Sequence, residues 1–346
     1  MDRNWEITDG QRARIEDLKR VYIDGLTEPM VLVSAPGEPS PPPAEWVYSP
    51  EAMLRIEVDG AKRRLDVGDD YIPQIRVEFG TGQVACAFGC EMYVPEQGLV
   101  ASKGHVLNDS QEIEGLAMPS LDSGWFGKAY EYTEYYLENK PEWAEMMLLD
   151  FQSPFNNAHL VRGNDIFTDF YDCPELVDAL LAVNARYYVD LVRHYRKLTG
   201  MEDGYIYDWG VAWSGNCRLS NCTLHLVSPG HYGGLIMKHD ARVINDLGGG
   251  RIHYCGTHDG GMVADFCRIP GMTGLDLDGG HHDLWRLCEI IPEDVTLLIY
   301  LTKEIKDRIL SGDVPNKRKL ILYGGAPSLA EAQNDYRELK YALTGH

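Results

Sequence analysis

The sequence predicts an α/β protein, a single (β/α)8 barrel over residues 65–346 that is preceded by an N-terminal extension, residues 1–64. From about residue 65, short apolar segments of strand length alternate with longer segments of helical periodicity, which is typical of parallel βα units. Roughly 280 residues are enough for eight such units. An open doubly wound sheet is the alternative, and the barrel is favoured because no Gly-x-Gly-x-x-Gly follows an early strand.

The first 60 residues contain a helix and a proline-rich segment. Residues 9–26 have helical periodicity, and the run Pro41-Pro42-Pro43 cannot continue a helix or a central strand. This segment therefore predicts an arm or a covering flap. The polar residues 1–6 lack a secretory or transit signal, and no apolar run reaches membrane-spanning length. We expect a cytoplasmic protein without membrane contact.

Two later helices begin at recognisable capping signals. Asp172, followed by Pro174 and Glu175, predicts an N-cap with a capping box and a first-turn proline. The pair Ser228-Pro229 predicts a second helix, which ends at glycines 248–250. Because these glycines end a helix instead of opening one, they do not indicate a dinucleotide-binding loop.

The same alternation continues to the end of the chain without an internal repeat or a second linker. The expected strands are 251–256, 274–277, 295–301 and 319–323, and the expected helices are 284–290 and 329–343. One domain is therefore the simpler interpretation.

The chain is strongly acidic, with 53 acidic and 32 basic residues and a formal net charge of −21. No stripe of Lys and Arg is present to neutralise phosphates, so nucleic acid is not an expected partner. The eight cysteines are scattered. Without an export signal they indicate reduced thiols, buried fillers or metal ligands rather than a disulfide framework.

The strongest chemical signal is the segment His253-Tyr254-Cys255-Gly256. Alternate residues of a strand face the same side, so His253 and Cys255 are expected to project into one site. Gly256 places both near the carboxyl end of the strand, where barrel enzymes build their active sites. Imidazole and thiolate are good zinc ligands, and a catalytic zinc takes three protein ligands. An inward-facing pair packed without a metal is the alternative.

A third ligand has to come from elsewhere, and the segment 216–225 is expected to lie on the same rim of the barrel. Cys222 is the first choice, with His225 and Cys217 as alternatives. For each of these residues, packing without a metal remains open.

Two segments, Ser228-Pro229-x-x-Tyr232 and Ile252-His253-Tyr254-Cys255-Gly256, resemble the uroporphyrinogen decarboxylase superfamily, in its branch of corrinoid-dependent methyltransferases. Residues 69–73, 79–82 and 169–177 are also similar, so the resemblance covers roughly 65–346. It implies a barrel whose site opens at the strand carboxyl ends, with zinc held by His253 and Cys255. It also implies a methyl group exchanged between a small thiol, methyl ether or methylamine and a corrinoid, usually on a partner protein.

Two departures from the family pattern keep alternatives open. Where many relatives supply a third zinc ligand from a Gly-Cys-Glu motif, this chain has Tyr323-Gly324-Gly325-Ala326-Pro327. The arginine-rich motif with which decarboxylases bind substrate carboxylates has no match, and the pair Arg63-Arg64 is expected to be solvated. The alternatives are a decarboxylase acting on a tetrapyrrole and a metal-free tetrapyrrole-binding barrel. Decarboxylase relatives often pair, which leaves a homodimer open.

Further site residues are expected around the His-x-Cys pair. Asp70 matches the family motif and is expected to be catalytic. An aromatic lining would suit a flat aromatic or cationic substrate, with core packing as the alternative. The residues expected to bind substrate are Tyr71, Tyr207, Trp209, His258 and Asp259.

Overall fold

The computed structural model describes residues 5–37, 41–257 and 260–345. Its strands are β1 (Met30–Ser34), β2 (Gln74–Ile75), β3 (Glu91–Tyr93), β4 (Ala101–Lys103), β5 (Glu145–Met146), β6 (Tyr205–Asp208), β7 (Val211–Ser214), β8 (Cys217–Ser220), β9 (Gly250–Tyr254), β10 (Met272–Asp278), β11 (Thr296–Tyr300) and β12 (Leu320–Gly325). Its helices are α1 (Asp9–Asp24), α2 (Pro50–Arg64), α3 (Gln83–Ala87), α4 (Phe126–Asn139), α5 (Pro154–Arg162), α6 (Ile166–Asp172), α7 (Pro174–Thr199), α8 (Pro229–His231), α9 (Met237–Asp246), α10 (Gly260–Cys267), α11 (Leu284–Ile290), α12 (Lys303–Leu310) and α13 (Leu329–Thr344). No helix within these ranges is long and apolar enough to cross a bilayer.

A six-stranded parallel sheet forms the centre of the fold, in the order β1-β12-β11-β10-β9-β8. Strands buried on both faces need an almost continuous apolar sequence, and β11 shows this pattern. Its Leu297, Leu298 and Ile299 are fully buried. The predicted α/β class with parallel strands is confirmed.

The predicted division between an N-terminal extension and a barrel at residues 64 and 65 is wrong, because β1 is part of the central sheet. β1 pairs in parallel with β12, with Leu32 opposite Tyr323. The run Met30-Val31-Leu32-Val33 is buried, and burial on both faces requires a partner strand. The first 64 residues therefore contribute a strand to the sheet, and α2 packs against β2.

The segment before β2 runs along the outer edge of β1. The Asp70 N–H donates to the Val31 carbonyl at 3.2 Å. The carboxylates of Asp69 and Asp70 accept from the N–H groups of Val33 and Val31, at 2.7 and 2.9 Å. Side chains thus satisfy backbone donors that an edge strand would otherwise leave unpaired.

The antiparallel hairpin β6–β7 packs against β9 and β10 of the central sheet. Its two-residue turn is Trp209-Gly210, and both residues have positive φ, 53° and 81°, as a type I′ turn requires. Trp213 packs over Gly274 of β10, where a Cβ atom would lie 2.6 Å from the indole ring. Tyr207 forms a parallel bridge with Met147, just after β5. The hairpin therefore fills space beneath the carboxyl ends of the strands.

The capping signals were only partly predictive. Ser228 caps α8 as expected, since its Oγ accepts from the His231 N–H at 3.2 Å. The predicted cap at Asp172 is wrong, because α6 continues through this residue and Cys173 takes the N-cap position of α7 without a side-chain hydrogen bond. Pro174 lies in the first turn of α7, as predicted.

Candidate metal centre

His253 and Cys255 lie at the carboxyl end of β9. His253 is buried and Cys255, one residue beyond the strand, is exposed. The intervening Tyr254 points to the other side, where it packs edge-on against Phe266 with ring centroids 5.4 Å apart. The local strand geometry therefore turns His253 and Cys255 toward one site.

Cys222 reaches the same site from the neighbouring strand. β8 and β9 pair in parallel with Ser220 opposite His253, and the Asn221 N–H donates to the His253 carbonyl at 2.8 Å. Two residues beyond this pair, Cys222 and Cys255 come side by side. One ligand atom from each of Cys222, His253 and Cys255 lies within 4.8 Å of the others. These three residues are called the Cys-His-Cys cluster below.

The ionisation of the cluster suits metal binding. The hydrogen bond with Cys222, followed by the contact with the His253 ring, lowers the pKa of the Cys255 thiol. The same contact raises the pKa of Cys222, because the proton is held between the two sulfurs. Burial lowers the pKa of His253 and keeps its ring neutral. Thiolate sulfur and neutral imidazole are the forms that bind metal ions.

Asp276 of β10 orients the His253 ring. The two residues are opposite each other in the parallel register, and Asp276 is fully buried. Its Oδ1 is hydrogen-bonded to His253 Nδ1, and its Oδ2 pairs with Arg251. A carboxylate on Nδ1 leaves Nε2 as the free ligand atom, the arrangement found around metal-bound histidines. The visible sequence signal is an acidic residue inside an apolar strand, but nothing in it identifies His253 as the partner.

A network of buried ion pairs lies beneath the cluster. Arg251 is fully buried and pairs with Asp208 as well as with Asp276. Arg218 of β8 contacts Asp208 at 3.1 Å and Asp150 at 3.3 Å. Positive and negative groups alternate along this network, which compensates for their removal from water.

Aromatic side chains extend the site on the side of His253. Trp209, at the turn of the β6–β7 hairpin, stacks beside the imidazole at 6.2 Å between centroids and 29° between planes. Tyr300 and Tyr323 pack edge-on against the indole, at 5.7 and 6.0 Å. Of the residues expected to bind substrate, Trp209 thus contacts a cluster residue, and its role in binding stays a prediction.

The described contacts of Tyr71 and Tyr207 do not involve the Cys-His-Cys cluster, and their roles in substrate binding stay predictions. Tyr71 is buried beneath the Arg64 guanidinium, whose Cζ is 4.1 Å from the ring centroid. Tyr207 packs edge-on against Tyr205. His258 and Asp259, also expected to bind substrate, are outside the described residues.

Asp70, expected to be catalytic, has contacts that fit a structural role. Its carboxylate accepts from the Val31 N–H and pairs with Lys340 at 3.2 Å and Arg14 at 3.5 Å. These contacts join the start of β1 to the first and last helices. They do not bring Asp70 into the Cys-His-Cys cluster.

The alternative third ligands are not in the cluster. His225 is exposed and its Nδ1 lies 2.6 Å from the Cys222 carbonyl, while Cys217 is buried with its Sγ 3.6 Å from the Gly249 carbonyl. The expectation that Arg63-Arg64 is solvated holds for Arg63 only. Arg64 donates to the Tyr323 hydroxyl at 3.0 Å and is largely enclosed by aromatic rings.

The structure is thus an α/β fold with a Cys-His-Cys cluster at the carboxyl ends of adjacent parallel strands. It is similar to the solved structure of a methyltransferase from Methanosarcina mazei, with a TM-score of 0.66 and 15% sequence identity. The match covers 96% of this chain and 97% of that chain. No protein-family model and no curated protein matches the sequence. At this identity the likeness establishes the fold over nearly the whole chain, and the chemistry has to be argued from the site.

Proposed function

We propose that this protein is a zinc-dependent methyltransferase that moves a methyl group between a small substrate and a corrinoid on a partner protein. The observation that carries the proposal is the convergence of Cys222, His253 and Cys255 at the carboxyl ends of two adjacent parallel strands. The structural likeness to a methyltransferase supports the class of reaction. The substrate is expected to be a thiol, a methyl ether or a methylamine.

The donor set fits zinc. Two sulfurs and one imidazole nitrogen are soft and borderline ligands, which favour zinc over magnesium or calcium. Three protein ligands leave a fourth tetrahedral position for a substrate. When bound, zinc would deprotonate a substrate thiol or act as a Lewis acid on an ether oxygen.

The chain's own residues would hold and tune this centre. Asp276 holds the His253 ring at Nδ1, which would leave Nε2 to bind the metal. The hydrogen bond with Cys255 and burial raise the pKa of Cys222, and the positive charge of Arg218 opposes this rise without reversing it. Cys255 is exposed. The open side of the cluster is therefore the side from which a substrate and a corrinoid domain would approach.

The proposal includes a closed barrel of eight strands, formed by β1, β2, β5 and β8 to β12. Two contacts extend the six-stranded sheet at its β1 edge toward such a barrel. The Asp70 N–H donates to Val31 between the β2 segment and β1, and the Glu145 N–H of β5 donates to the Pro73 carbonyl at 2.9 Å. In such a barrel the active site lies at the carboxyl ends of the strands, where the cluster is found.

Zinc analysis of protein purified without added metal tests the proposal most directly. We expect about one zinc per chain, and demethylation of methylcobalamin in the presence of small thiols, followed by its absorbance. The variant Cys222→Ser should lose zinc and methyl transfer while keeping its circular dichroism. Cys288→Ser is the matched control, since this partly buried thiol is outside the cluster. Protein without zinc, or a Cys222→Ser variant that retains it, would contradict the proposal.

A further inference from the structure

A cavity separate from the Cys-His-Cys cluster lies beside the proline-rich segment, α2, the end of β2 and the β3–β4 loop. Its volume is about 490 Å³, in the range of small-molecule sites. None of its described lining residues belongs to the Cys-His-Cys cluster. The wall is largely apolar and carries two carboxylates, with Trp46, Met53, Ile56 and Leu99 beside Glu57 and Glu78.

The negative charges of the two carboxylates are not equally balanced by positive groups. Glu78 pairs with the Arg76 guanidinium and accepts from the Gly80 N–H at 2.6 Å. Arg76 also contacts Asp150 at 3.6 Å, so its charge is shared. Among the described residues, Glu57 accepts the backbone N–H of Arg76, at 3.0 Å, and no basic side chain forms an ion pair with it. Within this part of the chain, the cavity thus contains a carboxyl group without an ion-pair partner.

The protonation of Glu57 reflects this environment. Burial raises its pKa to about 7, and the neighbouring Glu78 carboxylate adds to the effect. The Arg76 N–H and guanidinium act in the opposite direction. A cation in the cavity would favour the ionised form of Glu57 and would displace its proton near neutral pH.

We propose that this cavity binds a small organic cation of the methylated ammonium class. Glu57 would supply the compensating charge, with Glu78 as the second negative group. Trp46 and the aliphatic side chains would contact the methyl groups, since methylated ammonium ions are weakly hydrated and bind to aromatic faces. A strongly hydrated ion such as sodium would have little to gain from the apolar wall.

Calorimetry with choline on the protein as purified, without a corrinoid, tests this site independently of methyl transfer. We expect choline to bind, and its uncharged analogue, in which carbon replaces nitrogen, to bind at least about tenfold more weakly. Glu57→Gln should weaken choline binding by about tenfold or more. Glu51→Gln is the matched control, since Glu51 is an exposed carboxylate in the first turn of the same helix, and it should bind as the wild type does.

Choline binding by the wild-type protein at a series of pH values provides a second test if Glu57→Gln folds poorly. Choline affinity should rise from about pH 6 to about pH 8 as Glu57 ionises, and binding near pH 7 should release protons to the buffer. Equal affinity for choline and its uncharged analogue would overturn the proposal. So would an absence of choline binding, or unchanged binding by a folded Glu57→Gln variant.

Discussion

The role of Asp276 can be tested by the substitution Asp276→Asn, which keeps the shape of the side chain and removes its charge. In the structure Asp276 is fully buried between His253 Nδ1 and the Arg251 guanidinium. An amide can present its nitrogen to Nδ1, which would favour the tautomer with the proton on Nε2. That proton would occupy the nitrogen that has to face the metal.

The expected effect on zinc is large enough to measure. Loss of a carboxylate that orients a metal-bound histidine typically weakens binding by about 10- to 100-fold, or roughly 1.4 to 2.7 kcal/mol. A separate loss of stability is expected because Arg251 keeps only Asp208 as a partner. Breaking a buried ion pair costs about 3 to 5 kcal/mol. The lower end applies here, since one carboxylate remains.

Zinc affinity should be measured by competition with a chelator at a temperature where the variant is fully folded. Nitrogen chemical shifts of His253 would report the tautomer, which a purely structural role of Asp276 would leave unchanged. Asp278→Asn is the control on the same strand, where Asp278 is partly exposed and 3.9 Å from His281. A folded Asp276→Asn variant with the zinc affinity and the histidine tautomer of the wild type would refute the reasoning.

Two further substitutions test the packing around the site. Gly274→Ala should lower the free energy of unfolding by about 1 to 3 kcal/mol, because the new Cβ would meet the Trp213 ring. Gly60→Ala, in an open part of α2, should not lower the free energy of unfolding. Chemical denaturation of both variants measures this difference. Burial raises the pKa of Asp240 to about 7, so the fold favours its protonated form. Asp240 should therefore contribute up to about 4 kcal/mol of destabilisation as pH rises from about 4 to about 7, in addition to the contribution of Glu57, whose pKa is also raised. Unfolding curves at both pH values should show that Asp240→Asn reduces the difference in stability between them by about this amount. An unchanged pH dependence in Asp240→Asn would assign the effect to another group.

Local signals explain what the sequence predicted correctly. The alternation of apolar and periodic segments indicated parallel βα units, and the described sheet is parallel. The serine cap at Ser228 depends on residues only three positions apart, and it is present. Asp172 has an equally good local signal but lies inside α6, where the Cys173 N–H donates to the Asp169 carbonyl at 3.0 Å. Asp172 could either end α6 or cap α7, and in the structure it is the last residue of α6.

Long-range pairing explains the error at the N-terminus. The run 30–33 is strand-like in composition, but its partner β12 is about 290 positions away in the chain. The nearby prolines suggested an arm, and only the sheet shows that the segment has a partner. The same holds for Arg64, whose aromatic surroundings come from Tyr71 and Tyr323, one near it in the chain and one far away.

The sequence by itself determined that His253 and Cys255 face one side, because the two-residue period of a strand is a local property of the backbone. The tertiary structure decided which other residues join His253 and Cys255 at the site. Cys222 joins them through the register of β8 against β9, and Asp276 through the register of β10 against β9. Register depends on how whole strands pack across the sheet, and no pattern within one segment specifies it. With 53 acidic residues in the chain, an aspartate inside a strand is easy to see, but its partner is known only once the neighbouring strand is in place.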